Sequence, residues 1–151
     1  QMTVRLSTAL RNKMLDGGVG AGIKGALNLG FIAIYSGPQP LTADSAATGT
    51  LLGTVSIDGA GATGLTFASS VAGTLSKTPA ETWKFNGLAE GTAGWFRFYP
   101  AAGNPANSST TEARIDGSIA TSGGDMNLTN VSIAVGIPNT VDVFQFTQPA
   151  Q

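Results

Sequence analysis

Six of the eleven aromatic residues of this chain fall within the twenty positions ETWKFNGLAEGTAGWFRFYP, Glu81 to Pro100, both tryptophans among them. Successive side chains of a strand point to opposite faces. Trp83 and Phe85 therefore share one face, alternating with Thr82, Lys84 and Asn86. Farther on, Phe96 and Phe98 take one face and Trp95, Arg97 and Tyr99 the other, so this second strand is expected to be covered on both sides. The intervening Asn86 to Gly91 holds two glycines, which reach positive φ without a steric penalty, so it can turn the chain. The expectation is a β-hairpin carrying the largest apolar surface of the molecule.

A chain of 151 residues can bury a substantial core as one domain. Only 11% of its residues are charged, less than half the usual share of about 25%. Low charge leaves a surface of Ser, Thr, Asn, Gly and Ala, which is easily dehydrated in lasting contacts with other subunits. The eight Lys and Arg are scattered and the net charge is −1, a pattern that does not suit a nucleic-acid partner. The absence of cysteine removes thiolate chemistry and disulfides. The absence of histidine removes the commonest general base and transition-metal ligand. No apolar run approaches the roughly 20 residues that span a bilayer, so no membrane partner is expected. The opening QMTVRLSTALRNKMLDGG lacks the order of a signal peptide; Met2 reads as the natural start, and synthesis in the cytosol is expected.

Along the chain, Val4 to Asp16 has helical spacing, with Leu6, Leu10 and Met14 forming a stripe and Gly17–Gly18 placed to end the helix. GGVGAGIKG, Gly17 to Gly25, reads as a flexible linker. Residues 1–25 are thus expected to form a helical arm, and residues 26–151 a β-domain. Strands are expected at Leu29 to Ser36, at Thr50 to Ile57 and, as short alternations, at Leu65 to Ser69 and Val71 to Ser76. Ala113 to Ile119 is another. Met126 to Val135 changes phase between Leu128 and Val131, as a β-bulge would make it do. Thr140 to Thr147 changes phase between Val143 and Phe144, and Pro149 closes the pattern. AAGNPANSSTTE after Pro100 is the longest exposed loop. About eight short strands between glycine-rich turns predict an all-β fold, a β-sandwich of jelly-roll or immunoglobulin-like type, with a short N-terminal helix or arm.

Sites of chemistry are few. Gly20, Gly22 and Gly25 make a formal G-x-G-x-x-G, with Asp44 beyond it. Nucleotide binding needs a strand before the glycines and a helix after them, however, and here a helix is expected before and a strand after. Arg97, Arg114, Asp116 and Asp142 lie inside expected strands. Two acids facing one cleft could hydrolyse a glycosidic bond, whereas an Arg–Asp pair closing one end of the sandwich, or crossing a subunit contact, is the plainer reading. Serine occurs in no G-x-S-x-G setting and has no histidine to activate it. No catalytic residue, cofactor or metal is expected. Trp95 and Tyr99, out of phase with Phe96 and Phe98, are candidates for stacking on sugar rings. Leu6, Leu10 and Met14 are candidates for docking on a neighbouring subunit.

Five stretches together resemble a group of small virion proteins from the structural modules of tailed bacteriophages and prophages. They are VRLSTALRNKML, IYSGPQP with TGTLLGTV, LSKTPAETWKFNGLAEGTAGWFRFY, RIDGSIATSGGDMNL and TVDVFQFTQPAQ, and they cover well over half the chain. The resemblance implies a non-enzymatic particle component that assembles in the host bacterial cytoplasm. Its implied role is a capsid decoration or cement protein that binds the major capsid protein, or other virion proteins, and itself as a homo-oligomer. The alternative it leaves open is a tail, neck or fibre component acting as a carbohydrate-binding adhesin.

Overall fold

The structure is a computed structural model that describes residues 4–148. The expected start at Met2 and stop at Pro149 lie outside that range. In chain order the elements are β1 (Arg5–Leu6), α1 (Thr8–Asp16), α2 (Gly22–Leu27), β2 (Phe31–Ser36), β3 (Leu51–Val55), β4 (Thr74–Ser76), β5 (Trp83–Asn86), β6 (Gly91–Tyr99), β7 (Ile115–Ala120), β8 (Met126–Asn127), β9 (Ser132–Ile133), β10 (Pro138–Val141) and β11 (Gln145–Thr147). The chain is mostly β. Its main sheet has seven strands, with the path β1-β7-β6-β2-β3, β8 attached to β7 and β9 to β6. All its pairings are antiparallel except the short β7–β8 pair. Two ribbons, β5–β10 and β4–β11, complete the strands, and the sheet does not close into a barrel.

The expected aromatic hairpin does not form. β5 pairs with β10 and β6 with β2, β7 and β9, so Asn86 to Gly91 carries the chain from a ribbon to the main sheet. The two aromatic strands meet through their side chains instead, with Trp83 edge-on to Phe98 at 6.1 Å between ring centroids. Phe67 and Phe144 complete this cluster, Phe67 stacking on Phe98 at 5.3 Å and Phe144 lying against Trp83, Phe96 and Phe98. Burying large faces against each other removes more apolar area from water than lateral pairing would. Gly53 makes room for it: a Cβ there would lie 2.2 Å from the Phe85 ring.

The main sheet is covered on both faces, as its alternation predicted. Ile32, Ile34, Phe96, Phe98 and Ile115 belong to the main core. Phe31, Ala33, Tyr35, Trp95 and Tyr99 form a second, smaller one. A bulge at Gly94 sets the phase. Tyr35 is opposite Trp95 but Ser36 is opposite Ala93, so Ala93 joins the main core while Trp95 joins the second.

Two other phase changes mark strand breaks rather than bulges. Met126 to Val135 is two strands, β8 against β7 and β9 against β6. Thr140 to Thr147 likewise splits into β10 on β5 and β11 on β4. Of the low alternations at 65–76, only Thr74–Ser76 forms a strand, while Leu65 and Phe67 make single bridges to Gly30 and Lys77.

The N-terminal segment is built into the domain. The expected helix from Val4 starts only at Thr8, because Ser7 is extended and its hydroxyl accepts the Leu10 amide as an N-cap. Arg5 and Leu6 pair with Asp116 and Ile115 of β7. Leu10 is fully buried in the main core. Of the glycine-rich segment expected to be a linker, Gly17 to Ala21 turns the chain and Gly22 to Gly25 opens α2, which packs against α1 and buries Leu27. The described part of residues 1–25 is therefore no detached arm.

Candidate interaction surface and the buried ionic network

The strand-borne ionisable residues divide by burial. Arg97 and Asp116 are opposite each other on β6 and β7 and form a two-pronged pair, Nε to Oδ1 and Nη2 to Oδ2 both at 2.8 Å, with neither side chain exposed. Arg97 also donates to the Pro105 carbonyl and lies 5.3 Å from the centre of the Trp95 ring. Burial pushes the Asp116 carboxyl above its ordinary value, while the hydrogen bonds and charge of Arg97 pull the other way.

Arg114, also fully buried, gives Nε to Glu112 at 3.0 Å and its other N–H groups to the carbonyls of Ala43, Ser45, Asn104 and Asn107. A guanidinium has five N–H groups, and all five are matched. These two arginines tie the loops at 37–50 and 100–112 over the second core. The polar loop at 101–112 is exposed as expected, and its backbone carbonyls anchor it as a roof.

Ser7 joins the same network. Its hydroxyl donates to the Glu112 carbonyl and accepts from the Arg114 amide as well as from Leu10. The plainer sequence reading, an Arg–Asp pair, is what the structure contains. Asp142 is not part of it: it is exposed between β10 and β11, so Asp116 and Asp142 do not form a carboxylate dyad.

Turn aspartates and Glu81 are likewise occupied. Asp44 accepts from the Thr8 amide and hydroxyl, and Asp125 from the Ser118 amide and hydroxyl. Asp58 accepts from Ala62 and Thr63, and the Thr63 amide foremost holds its carboxyl below the ordinary value. Glu81 binds Thr66 and the Trp83 indole. Among the described residues, no group of three or more acidic residues could hold a metal ion. No helix among them is long and apolar enough to cross a membrane.

Trp95 and Tyr99 do not form an exposed platform. Trp95 is completely buried, stacked on Tyr35 at 4.6 Å with its indole N–H donated to the Thr48 carbonyl. Tyr99 is buried beside Phe31, and burial pushes its phenol up to about 12. Their phase is opposite to that of Phe96 and Phe98, as expected, but it leads into a second core and not to solvent.

Of the N-terminal stripe, Leu10 is in the core, Leu6 packs partly buried against it, and only Met14 is exposed. The glycines at 20, 22 and 25 follow α1 and run into α2, with β2 only after that. No strand leads into them, so the strand–turn–helix that cradles a pyrophosphate is not formed.

Exposed large apolar side chains are spread over the described surface, Leu29, Leu41 and Val71 among them, and two groups of them adjoin grooves that the stripe alone did not reveal. At the α1–α2 corner, Met14, Leu15 and Val19 are exposed, and Met14 and Ile23 line a shallow groove with Leu75 and Phe146. Around β10, Leu88, Val135, Ile137 and Val143 are exposed. Two clefts, of about 420 and 360 Å³, share Leu128 and Thr129 and run between the 125–130 segment and the 137–145 segment. Comparison of the chain with family models, curated proteins and solved structures gives no match.

Proposed function

We propose that this protein is a non-enzymatic structural component of a tailed-phage particle, a capsid decoration or cement protein that binds the major capsid protein and itself. The observation that carries the reading is the division of its side chains. The buried ionisable groups are tied up in bonds that hold loops, whereas large apolar side chains such as Leu15, Val19, Ile137 and Val143 stand in solvent. Exposed apolar patches of this kind serve association. The sequence resemblance to small virion proteins supports the same reading. We take the main sheet and the ribbons facing it as the two layers of a β-sandwich, of jelly-roll or immunoglobulin-like type.

The competing placement is a tail, neck or fibre position with glycan binding. With Trp95 and Tyr99 buried, a sugar would have to use the cleft where Asp125, Asn127, Asp142 and Gln145 supply polar groups. A cryo-EM map of particles from the element that encodes the chain decides between them. Density repeated over the capsid lattice is the expected result. Density confined to the tail or fibres favours the adhesin, and particles without the protein overturn both.

A further inference from the structure

The two exposed apolar regions carry opposite charge. The first 36 residues contain Arg5, Arg11, Lys13 and Lys24 against Asp16 alone, whereas residues 115–151 contain Asp116, Asp125 and Asp142 and no Lys or Arg. Asp116 is buried in its pair with Arg97, and half-buried Arg5, opposite it on β1, donates to the Pro40 carbonyl. What remains outside is a corner with Arg11, Lys13 and Lys24 around Met14, Leu15 and Val19, with Asp16 the one acid among them.

On the β10 side, exposed Asp142 and half-buried Asp125 line the larger cleft, and exposed Glu90, beyond the other end of the ribbon, lines neither. They accompany Leu88, Val135, Ile137 and Val143, and no cation lines either cleft there. Lys77 lines the adjoining hollow with Asp142, its ammonium bonded to the Glu81 carbonyl at 2.7 Å and its charge facing the Glu81 carboxylate, and half-buried Lys84 is opposite Thr140 on β5; neither lysine lines the two clefts.

We infer that the α1–α2 corner of one copy docks into the β10-side cleft of a second copy, giving a head-to-tail contact. This rests on the structural-subunit reading and names the surfaces it would use. Apolar residues in both patches supply the burial, and the opposite charges set orientation and exclude corner-to-corner pairing. Each copy keeps one free corner and one free cleft, so the contact propagates into a closed ring or an open chain.

The test uses sedimentation of the full chain and two charge-reversed variants at exposed positions, Lys13→Glu with Lys24→Glu, and Asp142→Lys. The wild type is expected to associate, less so at high salt. Each variant alone should associate about tenfold more weakly or worse, and an equal mixture of the two should regain association, because corner and cleft then again carry opposite charges. Circular dichroism confirms that the variants are folded.

A wild type that stays monomeric, association that neither variant weakens, or a mixture that does not recover overturns the contact. Particle attachment, measured separately, tells the two readings apart. A monomer that still binds particles overturns only the head-to-tail contact, and a chain-forming protein absent from particles overturns only the virion reading.

Discussion

At the scale of single residues, two buried arginines decide whether the second core keeps its roof. Arg97 matches the Asp116 carboxylate atom for atom. Removing it leaves a buried charge without its partner, and breaking such a pair costs about 3–5 kcal/mol. Arg97→Met is therefore expected to lower the unfolding free energy by about that much in urea titration. Arg97→Met combined with Asp116→Leu should recover a large part, because the stranded carboxylate is gone; a double variant no better than the single would mean that packing, not charge, is what Arg97 supplies. Glu81 makes a different claim. Burial by itself raises its carboxyl, but hydrogen bonds from Thr66 and the Trp83 indole outweigh that, and the group ends below its ordinary value. A depressed folded value means that Glu81 contributes stability above the unfolded value of about 4.3, and that this is lost as pH falls through the folded value. Glu81→Gln should be less stable than wild type at neutral pH, with the difference shrinking in denaturant midpoints below about pH 4. A constant difference across that range would refute the assignment.

At the scale of elements, β6 shows how one residue can place a strand between two cores. Gly94 allows the bulge, and a Cβ there would lie 2.1 Å from the Gly37 carbonyl oxygen. Gly94→Ala must push β6 away from the turn after β2. A loss of about 1–3 kcal/mol is expected, as for other overpacked sites, read as a lower melting temperature. An unchanged melting temperature would show that the turn at Gly37 yields freely. The periodicity of Phe31–Ser36 and Trp95–Tyr99 was legible because each face of those strands is apolar. The fate of the phase changes was not. A bulge and a strand break both shift alternation by one residue, and only the partners of β8, β9, β10 and β11 distinguish them. The hairpin expectation failed for a related reason. Alternation tells which side chains share a face, but it does not say whether two strands meet edge to edge or face to face.

At the scale of the whole molecule, the N-terminal segment is structural. Leu10 fills the main core, Ser7 bonds the Leu10 and Arg114 amides, and β1 extends the main sheet. Deleting residues 1–16 removes all three. The truncated chain is expected to lose cooperative thermal unfolding and native circular dichroism, and a truncated domain that melts like the full chain would restore the detachable arm. The sequence by itself determined the β class, the two-sided burial of β2 and β6, and the absence of histidine and cysteine chemistry, because alternation and composition are local properties of the chain. Only the tertiary structure decided which strands pair, that Trp95 and Tyr99 face a second core, and that Arg97 and Arg114 hold the roof over it. Those outcomes depend on contacts between residues far apart in the chain, as Ser7 and Arg114 are, and local pattern does not encode such partners.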